Sequence, residues 1–198
     1  MRTRVLMLQH PMEVNNPKGS AHLLHLSLPG SRLITGEVFD EAVLGRAMSG
    51  ASDEHGNACW QPVLLYPADP SDGATAAQPG EPRQAALLDA TSGRRICLVV
   101  LDGTWRQSRT MLQRNPALQR LPRLSLQPSA PSRYIVRKAH RPDQRSTLEA
   151  VCAALAQLEG APQKFDALLS AFDGFVAHQL RYRSNPPSSP LVTQVNHP

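Results

Sequence analysis

Ile96-Cys97-Leu98-Val99-Val100-Leu101-Asp102-Gly103-Thr104-Trp105-Arg106-Gln107-Ser108-Arg109 carries an unbroken apolar run straight into an acid and then into a helical pattern. Six apolar residues between Arg95 and Asp102 read as a strand buried on both faces. From Thr104 to Asn115 the apolar positions recur at helical spacing, so a helix follows the strand at once. Asp102 is thereby expected at the carboxyl end of a central strand, where open α/β sheets form their ligand crevices. Gly103 lets a ligand or a backbone approach closely, and Thr104 can cap the helix with its hydroxyl. Capping is the ordinary role of Asp or Thr at a helix start. Trp105, a large aromatic on the first turn beside the acid, points to a site instead.

Outward from this core, apolar strands alternate with amphipathic helices. Arg4 to Gln9 reads as the first strand, and Ser20 as the cap of a short helix through Leu28 with Leu23, Leu24 and Leu28 inward. Pro29-Gly30 ends that helix. A short strand over Leu33 to Gly36, a helix over Asp40 to Met48 and a strand over Val63 to Tyr66 follow. Residues 67–93 are rich in Pro, Gly, Ala and Asp without periodicity and read as an insertion or a lid. Leu121 to Leu126 and Tyr134 to Arg137 read as extended. Ser146 with Glu149 forms a capping box for a helix from Thr147 to Leu158, and a last helix spans about Lys164 to Arg183. The pattern predicts an α/β fold with a mainly parallel sheet flanked by helices. One domain over 1–183 is expected, with a disordered Pro/Ser-rich tail over 184–198.

A chain of 198 residues with 41% hydrophobic content can bury a sizeable core. Net charge +5 favours an anionic partner, nucleic acid first, although a mild basic excess also serves solubility. Cys59, Cys97 and Cys152 are odd in number, far apart and without CxxC spacing, so a disulfide framework is not expected and a reducing cytoplasm fits. Val5 to Leu8 is too short for a signal peptide, and no run approaches membrane-spanning length. Neither a G-x-G-x-x-G nor a G-x-x-x-x-G-K-[ST] motif occurs. Lys18 in Asn16-Pro17-Lys18-Gly19-Ser20 is a weak phosphate cue. His10 near Glu13 suggests an acid/base or metal pair, but a hydrogen-bonded structural histidine is the commoner role. Ser108, Ser132 and Ser146 lack a nucleophile elbow. Arg106 and Arg109 are read on one helix face with Asp102. Arg133, Arg137, Lys138, His140, Arg141 and Arg145 crowd a segment in which Tyr134 offers a stacking surface. That set reads as a nucleic-acid groove or as a solvated face.

Asp102-Gly103-Thr104-Trp105 resembles the Asp-x-Thr-Trp signature of the DTW-domain family, whose characterised members are tRNA-uridine aminocarboxypropyltransferases. Supporting blocks stand in the family's order: Gln9-His10-Pro11 with Glu13, Leu65-Tyr66-Pro67, Ser132-Arg133-Tyr134 with Arg137, and Ser146-Thr147-Leu148-Glu149-Ala150. Together they span most of residues 5 to 180. Many relatives begin with a cysteine cluster resembling a zinc site, whereas this sequence starts almost at Gln9-His10-Pro11, and no metal is expected.

The resemblance implies a SPOUT-like fold in which the C-terminal part threads a trefoil knot that forms an S-adenosylmethionine pocket. It further implies transfer of the 3-amino-3-carboxypropyl group to N3 of a tRNA uridine, with release of methylthioadenosine. Asp102, Thr104 and Trp105 are the expected catalytic residues, with Asp102 either the base for the N3 proton or an orienting group for the cofactor's amino group. Leu65, Tyr66, Pro67, Leu101, Gly103, Tyr134, Arg137, Thr147 and Glu149 are the expected cofactor-binding residues, Glu149 serving equally as a capping residue. His10, Lys18, Arg106, Arg109, Arg133, Lys138, Arg141 and Arg145 are the expected RNA contacts. Two alternatives stay open: an S-adenosylmethionine-dependent RNA methyltransferase, and a non-catalytic RNA-binding module.

Overall fold

Strand β4 (Ile96–Asp102) is buried at every position and forms the centre of a five-stranded sheet in the order β2-β1-β4-β3-β5. Its companions are β1 (Thr3–Gln9), β2 (Arg32–Thr35), β3 (Gln61–Leu65) and β5 (Arg123–Leu124). All four pairings are parallel, as the double-sided apolar run of β4 requires. The structure is a computed structural model and describes residues 3–16, 19–50, 60–67, 95–126 and 146–184, with 178–184 as backbone alone.

Strand alternation sorts the core into two layers. Val5 and Met7 of β1 with Ile96, Leu98 and Val100 of β4 face helices α1 (Ser20–Ser27), α5 (Thr147–Glu159) and α6 (Asp166–Ser184). Leu6, Leu8, Cys97, Val99 and Leu101 face α2 (Glu41–Ser49), α3 (Trp105–Arg114) and the short α4 (Pro116–Gln119). The result is a three-layer α/β/α sandwich.

The chain leaves β1 toward β2 on one side and leaves β4 toward β5 on the other. Adjacent strands with diverging connections define the topological switch point, which here lies between the ends of β1 and β4. Gln9 and Asp102 are the register partners at that point.

Several expectations are refined. Ser20 does not cap α1: Gly19 holds the N-cap position without a side-chain bond, while the Ser20 hydroxyl accepts the Leu148 amide of α5 at 3.3 Å. An otherwise orphan amide of the α5 first turn is satisfied across the domain. Strand β3 begins two residues earlier than Val63 and includes Pro62. Gln61 N–H bonds to Arg95 O, and Leu64 N–H bonds to Pro122 O. Alternation therefore turns the Pro62 nitrogen away from β4, toward a side that β5 reaches only at Arg123, so no ladder bond is lost. The extended reading of Leu121 to Leu126 shrinks to Arg123–Leu124. Asn115, read only as the end of a helix, is a clamp. Its side chain accepts the Phe39 amide at 2.9 Å and donates to Glu37 O at 2.9 Å and Met111 O at 2.6 Å. The insertion at 67–93 beyond Pro67, the strand at Tyr134 to Arg137 and the tail beyond 184 lie outside the described residues. So does 127–145, which separates β5 from α5.

Candidate active site at the carboxyl end of the sheet

Asp102 ends β4 with 6% of its surface exposed, and both carboxylate oxygens are held. Oδ2 accepts from Gln9 Nε2 at 3.0 Å, and Oδ1 accepts from Thr147 Oγ1 at 2.7 Å. Its backbone oxygen accepts the His10 amide at 2.9 Å. Three remote parts of the chain thus converge on one carboxylate: β1, the end of β4 and the first residue of α5. Strand parity explains the geometry. Asp102 follows Ile96, Leu98 and Val100, and Gln9 follows Val5 and Met7, onto the face that α5 covers. Two neutral donors hold the carboxyl group in place, and each oxygen keeps acceptor capacity. Gln9 is the partner that sequence reasoning left out of the site, although its block was quoted; the register of two central parallel strands was the signal.

Gly103 sits in a tight packing position, where an added side chain would make its neighbours give by a few tenths of an ångström. A Cβ there would meet Gln107 Cβ at 3.1 Å and His10 Cβ at 3.4 Å, so the close approach is by the protein's own side chains. Thr104 and Gln107 close a capping box over α3, with Thr104 N–H to Gln107 Oε1 at 2.6 Å and Gln107 N–H to Thr104 Oγ1 at 3.3 Å. Ser146 and Glu149 do the same for α5, with Glu149 Oε2 accepting the Ser146 amide at 2.6 Å. The capping role offered for Thr104 and Glu149 is therefore present. His10 is the structural histidine anticipated: it caps the turn Pro11–Glu13, with Nδ1 accepting the Met12 amide at 3.2 Å.

Trp105 and Tyr66 form an edge-to-face pair across the ends of α3 and β3, with centroids 6.2 Å apart and planes at 73°. Arg106 and Arg109 are exposed on α3. Their expected face shared with Asp102 is not observed, because the Asp102 side chain turns into the α1/α5 layer while α3 packs on the opposite side of the sheet. Leu65 and Leu101 lie at the strand ends beside Asp102. Lys18, Arg133, Tyr134, Arg137, Lys138, His140, Arg141 and Arg145 lie outside the described residues.

Cys97 and Cys152 are buried in opposite layers, one on each face of the sheet, so they cannot share a metal. Burial pushes the Cys97 thiol up against an opposing hydrogen bond from Arg4, and pushes Cys152 up to about 12, with the nearby Glu149 charge adding to it. Cys59 lies outside the described residues. Among the described residues no three His, Cys, Asp or Glu side chains gather as metal ligands. Protein purified without a His-tag is expected to carry well under one zinc per chain, and chelator to leave its Tm unchanged. Stoichiometric zinc by elemental analysis, or unfolding on chelation, would contradict the reading of Cys97 and Cys152 as core residues.

A parallel three-layer domain with a buried, doubly held carboxylate at the switch point of its sheet has the open α/β architecture, in which ligand crevices form at that point. Within that class, the DTW domain model matches residues 1–180, and the chain belongs to the DTW-domain family. It is similar to a Drosophila melanogaster protein named tRNA-uridine aminocarboxypropyltransferase 2, at 30% identity over 186 residues, covering 90% of this chain and 65% of that protein. A Macaca fascicularis protein of the same name is 27% identical over 183 residues, covering 91% of this chain and 56% of that protein. The chain thus spans between about half and two thirds of the length of these curated relatives. No solved structure matches it.

Proposed function

We propose that this protein is a tRNA-uridine aminocarboxypropyltransferase that uses S-adenosylmethionine as group donor. The observation that carries the reading is the Asp102 carboxylate, held by Gln9 and Thr147 at the switch point inside the family signature. The names of the two relatives support the substrate and the transferred group. Glu149 fits the donor's ammonium: it is a buried carboxyl group on the first turn of α5, the helix whose first residue meets the end of β4. When bound, S-adenosylmethionine supplies a 3-amino-3-carboxypropyl group on a sulfonium leaving group, released as methylthioadenosine.

The residues of this chain do the rest. Asp102 takes the weakly acidic N3 proton of the uridine as the nitrogen attacks, help worth roughly 100- to 10,000-fold. Gln9 and Thr147 fix the carboxylate so that it need not reorganise during proton transfer. Backbone at Leu65, Tyr66, Pro67, Leu101 and Gly103 lines the donor pocket, with Arg137 on the donor's carboxylate and Glu149 on its ammonium. Thr104 and Trp105 position the reactants, and alignment of nucleophile, carbon and sulfur supplies much of the remaining acceleration. Residues 1–183 act as one catalytic domain, of SPOUT-like fold with a C-terminal trefoil knot, in the cytoplasm. The basic segment from Arg133 to Arg145, with Lys18, Arg106 and Arg109, tracks the tRNA backbone, while His10 keeps its capping role.

Chromatography of the donor-derived product tests the reaction class. Methylthioadenosine released only when tRNA is present supports the proposal; S-adenosylhomocysteine would replace it with methylation. The RNA surface has its own test. Neutralising Arg141 and Arg145 together is expected to weaken tRNA binding and flatten its salt dependence by about one unit of log affinity per log salt for each lost phosphate contact. An unchanged slope would make this segment a solvated face.

A further inference from the structure

On the α3 side of the sheet, at the same end as Asp102, three side chains from three elements build an aromatic shelf. Trp105 opens α3, Tyr66 follows β3, and Arg123 belongs to β5. The Arg123 guanidinium lies over the Tyr66 ring, 5.4 Å from its centroid, and reaches Pro67 O at 3.4 Å. Tyr66 is tied to β5 by its own amide on Leu124 O at 3.2 Å, and its carbonyl accepts Ser125 Oγ at 3.4 Å. Trp105 meets Tyr66 edge to face, yet 56% of Trp105 remains exposed. An indole at a helix start, fixed from one side and open on the other, is unusual among large aromatics, which normally bury most of their surface. Among the described residues, Arg106 beside it and Arg109 one turn on make no ion pair and stand in solvent.

We infer that Trp105, braced by Tyr66 and Arg123, stacks a nucleobase of the RNA strand adjoining the target uridine, with Arg106 and Arg109 meeting the phosphates that follow. The inference rests on the proposed RNA substrate and extends it to a residue, Arg123, that the sequence reading left out. Any flat heterocycle fits an indole face, so the adenine of the donor shares this chemistry. The strand is favoured because Trp105 is largely exposed and its helix continues into the exposed cations Arg106 and Arg109, which suits a chain that carries on across the surface.

The chain has two tryptophans, so a Trp60→Phe background leaves Trp105 as the sole indole reporter. A single-stranded uridine oligonucleotide, with no donor present, is expected to quench its fluorescence saturably. Trp105→Ala should weaken oligonucleotide affinity by roughly 5- to 100-fold, the range of one lost base stack, and Trp105→Phe should restore most of it. An abasic ribose-phosphate oligomer of the same length should bind wild type and Trp105→Ala alike, a split that a merely structural role for Trp105 does not produce. Absence of quenching by RNA, or loss of abasic binding together with base binding, would overturn the shelf. Quenching by S-adenosylmethionine alone, with RNA affinity untouched by Trp105→Ala, would hand the shelf to the donor's adenine and overturn the RNA assignment. None of these readouts needs group transfer, so the shelf can stand if the proposed reaction fails, and the reaction can stand if the shelf fails.

Discussion

Asp102→Asn is expected to lower turnover by about 100- to 10,000-fold while leaving S-adenosylmethionine affinity within a few-fold, the loss appropriate to a general base. The substitution suits the site because Asn keeps the shape of Asp. Gln9 can present its amide oxygen after a flip, and the Thr147 hydroxyl can rotate, so the network around residue 102 survives with its charge removed. Thr147→Val removes one of the two donors and leaves the carboxylate in place, so its cost should be the smaller of the two. Single-turnover kinetics with calorimetric donor binding separates the outcomes. Near-wild-type transfer by Asp102→Asn would refute the base assignment. A matching collapse of donor affinity would instead make Asp102 an orienting group.

Leu98→Ala is expected to cost about 2–5 kcal/mol of folding stability, because it opens a cavity in the middle of the central strand. Leu98 is 0% exposed and packs in the layer formed with α1, α5 and α6. Against a typical total of about 5–15 kcal/mol, that loss should shift the denaturant midpoint visibly without changing m. Leu26→Ala, on the outer face of α1 at 71% exposure, is the control and should stay within about 0.5 kcal/mol of wild type. A loss below about 1 kcal/mol at Leu98 would contradict the sheet-centre position of β4.

The double-sided burial of β4 was legible because a parallel strand between two helical layers can tolerate no polar residue until its end, and Asp102 is that end. The hydroxyl cap at Thr104 and the capping box of Ser146 with Glu149 were legible for the same local reason, since each needs only residues within one turn, while the return bond from Gln107 that completes the box at Thr104 was not read. What one sequence does not display is convergence across the fold. Gln9 meets Asp102 because β1 and β4 are neighbours in register, although 93 residues separate them. Thr147 reaches the same carboxylate from α5, and Ser20, read as a cap for its own helix, serves α5 instead. Arg106 and Arg109 were placed beside Asp102 by nearness in sequence. The alternation of a strand followed by a helix on one face only put them in the other layer. The SPOUT-like knot rests on resemblance, since threading is a property of the whole path and leaves no periodic trace.

The nucleoside made in tRNA reports most directly on the proposed transfer. Unmodified tRNA incubated with the protein and S-adenosylmethionine, then digested and analysed by mass spectrometry, is expected to yield uridine carrying a 3-amino-3-carboxypropyl group at N3, and to yield it at least about 100-fold more slowly with the Asp102→Asn protein. A methylated nucleoside in its place, or uridine left unchanged by active wild-type protein that binds both tRNA and donor, would contradict it.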